Sequence, residues 1–339
     1  MNFRQKNTIL VTVSLLVGVG IFIWLGKVIG WDKIGGAFKV FQGWQGIVIF
    51  CLSILILLIG NWRWYEILKD EKAPVSFWKL WQSYVGGYAL MYLFPIIFLS
   101  GEIFRIYDIY KEEKISLDKA AASVIIERIL EWTVNILFIF FALFFFAFKL
   151  EFLPLQVLYI FGLALILFVG MVAFFYFKAF RQKGVVRGFV KKFTSKELSE
   201  GNTAIIIEND ILKFFKEKRH FFKSLFISIL RAGVMAVRTW LLILFLTGLN
   251  VGLPAAFSIV GLTYFSALIP IPTSLGSHEV IQTASFEALK MEASMATAFT
   301  MIIRACETII SLAGLAILLK KGFNIMEDGF NKPNDKNNY

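Results

Sequence analysis

The chain alternates long apolar stretches with short polar connections, and the lengths of the apolar stretches predict its main elements. A helix needs about 20 residues to cross ~30 Å of hydrocarbon. We therefore predict six transmembrane helices, and the first is long enough to be retained rather than cleaved as a signal peptide. The six stretches are roughly 8–29, 44–66, 120–148, 154–177, 224–249 and 294–319.

Two further apolar stretches, 83–100 and 255–289, are interrupted by prolines. Proline ends or kinks a helix, and irregular backbone within a membrane is tolerated only where protein or a water-filled cavity covers it. We predict that each stretch enters the membrane and turns back, as a re-entrant helical hairpin. The residues expected to act as hairpin gates are Pro95, Gly101, Pro270, Pro272 and Gly276.

Composition removes the soluble alternative. Of the 339 residues, 58% are hydrophobic and 17% charged, with a mean hydropathy of +0.71, whereas soluble domains have about 25% charged residues. The fold class is therefore an all-α polytopic membrane protein, in which six transmembrane helices and two hairpins form an inverted 3+3 repeat.

Charge predicts the orientation of the chain. The formal net charge is +11. With a cytoplasmic N-terminus, the cytoplasmic segments hold 25 Lys and Arg and the external segments hold 5. Because Lys and Arg in excess stay in the cytoplasm, we expect both termini on the cytoplasmic side of the cell membrane. We also expect the basic segments to contact anionic lipids, not nucleic acid. With two cysteines and two histidines, we expect no metal and no cofactor.

The regions between and after the spans are basic or polar. The loop 178–223 carries 12 basic and 5 acidic residues, and its segment 213–219 is typical either of an interfacial helix on anionic headgroups or of a solvated tether. We predict a single membrane domain, 1–321, followed by a disordered cytoplasmic tail, 322–339.

The chain also repeats itself at an offset of 175. Eight identities fall in the 39 positions from 63 to 101, where about three would arise by chance in so biased a composition. With one residue inserted, the next helices align as well. Repeat one spans about 8–148 and repeat two about 154–321. Three crossings separate corresponding elements, so the halves are inverted, as in many secondary transporters; the alternative is a duplication kept for packing. The most informative pairs are Arg63/Arg238, Gly86/Gly261, Pro95/Pro270 and Gly101/Gly276.

Charged residues inside the predicted spans are the candidate site. Arg128 with Glu131, and Arg304 with Glu307, are three apart and share a helix face, which fits either ion pairs that hold helices together or a polar cavity for an anionic headgroup. Because Arg63 has only Glu66 as a competing partner on its helix, it is a candidate phosphate ligand, as is Arg238. The candidate headgroup-binding residues are Arg63, Glu102, Arg105, Glu127, Arg128, Glu131, Arg238, Glu279, Arg304 and Glu307. The tryptophans Trp62, Trp64, Trp78 and Trp81 are expected to anchor the interface.

Several segments together resemble a known family. They are Arg63-Trp64, Gly101-Glu102-x-x-Arg105, Ser123-Val-Ile-Ile-Glu127-Arg128-x-x-Glu131, and Pro270-x-Pro272-x-x-x-Gly276-x-x-Glu279. This pattern, over about residues 8–321, resembles the transmembrane domain of the lysylphosphatidylglycerol synthase/flippase family. The chain departs from it at Thr273-Ser274-Leu275, where the family commonly has Gly-Gly, and at Glu131, where it often has Asp.

The resemblance implies two activities in the full-length enzyme. A cytosolic domain transfers lysine from aminoacyl-tRNA to phosphatidylglycerol, and the membrane domain moves the product between leaflets. The sequence of 339 residues has no such soluble domain, so we expect translocation of a phospholipid or lipid-linked substrate without synthesis. The alternative is a non-catalytic subunit or a membrane enzyme of aminoacyl-lipid or glycolipid biosynthesis, as a homodimer or with a biosynthetic partner enzyme.

Overall fold

A computed structural model describes residues 43–70, 73, 75–93, 100–150, 155–181, 203–267 and 277–331. Within these ranges all regular secondary structure is α-helical. The helices in chain order are α1 (Trp44–Asp70), α2 (Phe77–Leu93), α3 (Ser100–Glu112), α4 (Leu117–Leu150), α5 (Leu155–Phe180), α6 (Thr203–Lys216), α7 (Lys218–Thr247), α8 (Gly252–Ala267), α9 (Ser277–Ala288) and α10 (Ala293–Asn331).

Four of these helices contain segments long and apolar enough to cross a membrane. These segments are Trp44–Asp70, Leu117–Ala147, Lys218–Thr247 and Met295–Lys321. The protein is therefore an α-helical, multi-pass membrane protein. A fifth predicted span coincides with α5, which has 26 residues, and the predicted span 8–29 lies outside the described residues.

Two pairs of consecutive helices lie on either side of the proline-containing segments, and the helices of each pair pack against each other, α2 with α3 and α8 with α9. In the first pair, a Cβ atom on Gly101 would meet the Gly87 carbonyl and the Met91 side chain. Gly101 thus permits close packing of the two arms, which is a role in helix contact rather than in a turn. The other predicted gates, Pro95, Pro270, Pro272 and Gly276, lie outside the described residues.

Three helix pairs join opposite halves of the described chain. Helix α2 lies along α10, α8 lies along α4, and α1 packs against α7. Glycine lets the backbones approach closely where α8 crosses α4 and where α2 crosses α10. A Cβ on Gly261 would meet the Phe138 carbonyl oxygen, and one on Gly314 would meet the Val85 carbonyl oxygen.

Among the described residues, two that are not glycine adopt the left-handed conformation just before a long span. Lys114 (φ 54°) precedes α4, and Lys290 (φ 61°) precedes α10. At the other end of a span, α7 stops at Gly248 (φ 68°), whose N–H donates to the Leu244 carbonyl at 2.9 Å. Glycine takes this conformation without steric cost, whereas in lysine the Cβ atom clashes with the backbone.

Two predictions about the polar regions need correction. The segment 213–219 does contain the end of helix α6, but Phe214 and Phe215 are buried in a cluster with Ile126 and Phe221. This apolar face packs on the protein, not on lipid headgroups. The helix α10 continues past Lys321 to Asn331, so the predicted tail is helical over its first part. Proline would stop a helix, and the first proline after Lys321 is Pro333.

Candidate functional site

A buried carboxylate, Glu127, lies at the centre of the charged residues. Its Oε1 accepts from Arg63 Nη2 at 2.5 Å, and its Oε2 accepts from Arg105 Nη1 at 2.7 Å. The side chains of Glu127 and Arg63 are fully buried, and that of Arg105 is 2% exposed. Three elements therefore meet here: span α1, hairpin helix α3 and span α4.

The second carboxylate, Glu131, lies one helical turn further along α4 and binds more arginines. Its oxygens are 2.9 Å from Arg63 Nη2, 3.1 Å from Arg128 Nη1 and 2.5 Å from Arg231 Nη1. The predicted i,i+3 pair between Arg128 and Glu131 is confirmed. A further ion pair of 2.8 Å joins Arg128 Nε to Glu102. We call these seven residues the arginine–glutamate network: Arg63, Glu102, Arg105, Glu127, Arg128, Glu131 and Arg231.

Aromatic rings hold one guanidinium of this network in place. The Arg105 guanidinium carbon lies 3.9 Å from the Trp64 ring centroid and 4.7 Å from that of Tyr84, which adds cation–π attraction to its ion pair. Trp64 is fully buried and donates to Ser123 Oγ at 3.1 Å. The expectation that Trp64 anchors the membrane interface is therefore wrong, because it packs inside the protein.

Arg63 has partners that helical spacing does not reveal. It was expected to lack a carboxylate apart from Glu66, but Glu127 and Glu131 reach it from α4. Glu66 instead accepts from Lys223 at 2.5 Å and from Trp62 at 3.1 Å. A phosphate bound to Arg63 would have to displace one of these carboxylates.

Arg63 and Arg238 each donate to a serine of the opposite helix at the crossing of α1 and α7. Arg63 Nη1 donates to Ser228 Oγ at 3.0 Å, and Arg238 Nη1 donates to Ser53 Oγ at 3.1 Å. Both the two arginines and the two serines are 175 positions apart. The contact is therefore reciprocal: each helix supplies one arginine and one serine at matching positions.

A cavity of about 180 Å³ opens beside the network. Its lining includes Arg304 and Glu307 from α10, together with Tyr92, Gln282 and Thr300. One water needs only ~10–15 Å³ of such space, so the cavity has room for several waters. The other lining residues are Met91, Thr263, His278, Phe299 and Ile303.

The network and the cavity share a boundary at Met91. Arg128 Nη2 lies 3.6 Å from the Met91 sulfur, and Met91 lines the cavity. Among the four arginines of the network, Arg128 has the most exposed side chain, at 24%. The two sets of charges are therefore neighbours.

Several polar residues of the site were not among the candidates from sequence, including Arg231, Ser53 and Ser228 around the network and Gln282 and Thr263 in the cavity wall. Arg231 binds Glu131, and its spacing of seven from Arg238 places both arginines on one face of α7, a signal that could have identified it. Ser53 and Ser228 could have been found from their offset of 175. The backbone of Glu279 lies in α9, while its side chain lies outside the described part of the chain.

Comparison with known proteins agrees with this membrane architecture. The UPF0104 membrane protein MJ1595 of Methanocaldococcus jannaschii is 28% identical over 329 residues, which cover 93% of this chain and 95% of that protein. The UPF0104 membrane protein PH1989 of Pyrococcus horikoshii is 27% identical over 291 residues, 81% of this chain and 85% of its own length. No solved structure matches the chain significantly.

A family model supplies the remaining comparison. The model described as the lysylphosphatidylglycerol synthase TM region matches residues 11–314, which include every described residue of the arginine–glutamate network and the cavity. The chain therefore belongs to the family of the lysylphosphatidylglycerol synthase transmembrane region.

Proposed function

We propose that this protein is a lipid translocator, which moves the headgroup of a phospholipid or lipid-linked substrate between leaflets. The observation that carries the proposal is the cavity beside Arg304 and Glu307, which lie on a helix long and apolar enough to span the membrane. Charged residues in a span are costly unless they face a polar cavity or each other, and such residues mark substrate pathways.

The size of the cavity fits a headgroup better than a whole lipid. Pockets that enclose drug-sized ligands usually measure about 300–1,000 Å³, and this one measures about 180 Å³. The acyl chains would remain in the surrounding bilayer while the headgroup crosses through the protein. The guanidinium of Arg304 would bind the phosphate, since Arg binds phosphate through two parallel hydrogen bonds.

An inverted repeat would give this cavity access to each side in turn, and the packing of the helices supports that arrangement. When each helix of one half is exchanged for its counterpart, the contact of α2 with α10 becomes the contact of α8 with α4, and the contact of α1 with α7 maps onto itself. The reciprocal Arg–Ser bonds follow the same exchange. The hairpins would then be re-entrant from opposite faces and act as alternating gates.

The proposal also includes the orientation of the chain in the membrane and the activity that it performs. The excess of Lys and Arg in the predicted cytoplasmic segments supports cytoplasmic termini in the cell membrane. Translocation, not lysyl transfer, is the activity we assign, because the matched family model describes the membrane region. The arginine–glutamate network would hold the helices in register around the cavity.

Purified protein in vesicles tests the proposal directly. Labelled phospholipids would be incorporated, and the fraction accessible to a membrane-impermeant quencher would be followed over time. We expect faster exchange between leaflets than in empty vesicles, and a loss of about tenfold or more in Arg304→Ala, the effect of removing one charge-assisted hydrogen bond. Arg219→Ala is the matched control, because Arg219 is exposed and far along the chain from the cavity.

Two results would contradict the proposal. One is exchange no faster than in empty vesicles for lipids of several headgroup types. The other is equal exchange in the wild type and Arg304→Ala. In the first case the non-catalytic subunit of a biosynthetic enzyme becomes the better explanation, and purification should then recover a stoichiometric partner.

A further inference from the structure

A second cavity, of about 330 Å³, lies further along two of the helices that form the cavity beside Arg304 and Glu307, the first cavity. Helices α2 and α10 line both cavities, and α3 completes the second. The second lining includes Lys320 and Lys321, at the end of the spanning segment Met295–Lys321. Lysines at the end of a span reach the membrane surface. The second cavity therefore lies near the surface, and the first lies within the span.

Close packing of α2 on α10 separates the two cavities. Ten residues of α10, from Glu307 to Ile317, lie between the two linings, which is about 15 Å at a rise of ~1.5 Å per residue. Between them, a Cβ on Gly314 would meet the Val85 carbonyl oxygen at 2.5 Å and the Ala89 Cβ at 2.7 Å. A contact too tight for one methyl group has no room for a headgroup, so α2 and α10 must separate before the cavities can connect.

An ion pair beside the second cavity ties α10 to α3. Lys321 Nζ lies 2.5 Å from Asp108 Oδ2, and these side chains are 19% and 7% exposed. The same oxygen accepts a hydrogen bond from the hydroxyl of Ser83 on α2. We call the pair of Asp108 with Lys321 the latch, because its carboxylate contacts both α2 and α10. Breaking the latch would leave a buried carboxylate without its counter-charge, which opposes separation of the helices.

The latch belongs to one half of the chain only. At the repeat offset of 175, Asp108 corresponds to Thr283, and with the one inserted residue Lys321 corresponds to Phe145, so neither counterpart carries a charge. The helices α8 and α9 of the other half instead contribute Thr263 and Gln282 to the first cavity. This conformation is thus closed by an ion pair beside α3 and has space beside α9.

From these contacts we infer that the two cavities are parts of one pathway for a lipid headgroup, which is closed at Gly314 and held closed by the latch. The headgroup passes between α2 and α10 once Lys321 releases Asp108. The second cavity admits it at the surface where α10 ends, which is the cytoplasmic surface in the proposed orientation. The inference rests on the proposed translocation of a lipid, and it names the route and the point of closure.

A disulfide across the closed contact tests the route. A Cβ on Gly86 would lie 3.5 Å from Leu318 Cγ, and the Cβ atoms of a disulfide are about 3.5–4.5 Å apart. In a background without Cys51 and Cys306, Gly86→Cys is combined with Leu318→Cys. Oxidation should reduce leaflet exchange of labelled phospholipid to the rate of empty vesicles, and reduction should restore it.

The single cysteine variants at these two positions are the matched controls, and oxidation should leave their exchange unchanged. An oxidised double variant that still exchanges lipid at the full rate would overturn the inference. Failure of the disulfide to form would also overturn it, because the closed contact would then be absent.

Substitutions of the latch test what holds the contact closed. Lys321→Met should raise leaflet exchange about tenfold, the effect of losing a hydrogen bond between charged groups. Asp108→Lys combined with Lys321→Asp should return exchange to the wild-type rate, because the pair forms again with its charges reversed. Lys320→Met is the matched control, since Lys320 lines the same cavity and is exposed. Equal acceleration in Lys320→Met, or none in Lys321→Met, would contradict the role of the latch.

Access to the first cavity distinguishes this inference from the proposed function. Ile303 lines that cavity, and Ile303→Cys in the same cysteine-free background can be labelled by a membrane-impermeant thiol reagent. From the side where α10 ends, labelling should be about tenfold faster when Lys321→Met is added and unchanged when Lys320→Met is added. If no lipid moves but this pattern holds, translocation fails and the latch stands. If all three proteins are labelled at the same rate, the latch fails whether or not lipids move.

Discussion

Glu127 is a carboxylate whose side chain is fully buried between the guanidinium groups of Arg63 and Arg105. Removing one partner of a buried ion pair leaves an uncompensated charge and costs about 3–5 kcal/mol, whereas replacing both partners by apolar groups is often neutral. The network is therefore better explained as a device that fixes helix positions than as a source of stability.

The substitution Glu127→Gln tests this explanation. We expect the free energy of unfolding to fall by about 3–5 kcal/mol, because two buried arginines lose a shared counter-charge. The loss of stability would be measured as a lower midpoint of thermal unfolding in detergent. Glu102→Gln should cost less, since its partner Arg128 is 24% exposed and screened by water.

A double substitution provides the control. Arg105→Met combined with Glu127→Gln should be more stable than Glu127→Gln alone, because the stranded charge has gone. If Glu127→Gln and Glu102→Gln lowered the midpoint equally, or if the double substitution were the sum of its parts, Glu127 would not be the common counter-ion that the distances indicate.

These residues show where reading a sequence succeeds and where it stops. Spacing along one helix was enough to predict the pair of Arg128 with Glu131, since helix geometry alone brings them together. It could not show that Glu127 reaches Arg63, because that contact depends on how α1 packs against α4. The same limit explains the error at Trp64, which looks like an interface residue by position and is covered only through tertiary packing.

At the scale of elements, Lys114 and Lys290 occupy the same place in the two halves of the chain. Each follows the second helix of a hairpin, precedes a long span and has a positive φ, and they lie 176 positions apart. Proline and apolar length predict a hairpin in each half, and the described helices on either side of the proline-containing segments are α2 and α3, and α8 and α9. The matching backbone conformation was not predictable, since lysine gives no signal for a left-handed turn.

Replacing these lysines by glycine should stabilise the protein. Lys114→Gly and Lys290→Gly remove the clash between Cβ and the backbone, and we expect gains of about 0.5–1 kcal/mol each after the entropic cost of glycine. The thermal unfolding midpoint of each variant would be compared with that of the corresponding Lys→Ala variant, which loses the charge but keeps Cβ. A midpoint for glycine at or below that for alanine would show that neither turn is strained.

At the scale of the whole molecule, the two halves are proposed to cross the membrane in opposite directions. Lys114 and Lys290 are exposed and should then lie on opposite faces. In a background without Cys51 and Cys306, Lys114→Cys should react with a membrane-impermeant maleimide only from the cytoplasmic side. Lys290→Cys should react only from outside. Intact cells and inverted vesicles provide the two directions of access.

The comparison of both positions makes the experiment decisive. Labelling of Lys114→Cys and Lys290→Cys from the same face would rule out inversion, whatever the orientation of the chain. Labelling from opposite faces, but with the sides exchanged, would retain inversion and overturn the cytoplasmic termini. The charge bias along the sequence predicts an orientation because it acts during insertion. The repeat itself rests on few identities in the sequence and gains its support from the packing of the helices.

The reciprocal bonds at the crossing of α1 and α7 have a consequence for the ancestry of the chain. If the halves are inverted, a half-length ancestor could have inserted into the membrane both ways and paired with itself. One arginine and one serine in a single gene would then have made the same bond twice, so a single mutation could have created or destroyed both. After fusion the two copies were free to diverge: Glu127 in one half stands where the other has Ile303. Most residues of the arginine–glutamate network now come from one half, and most of the cavity wall comes from the other.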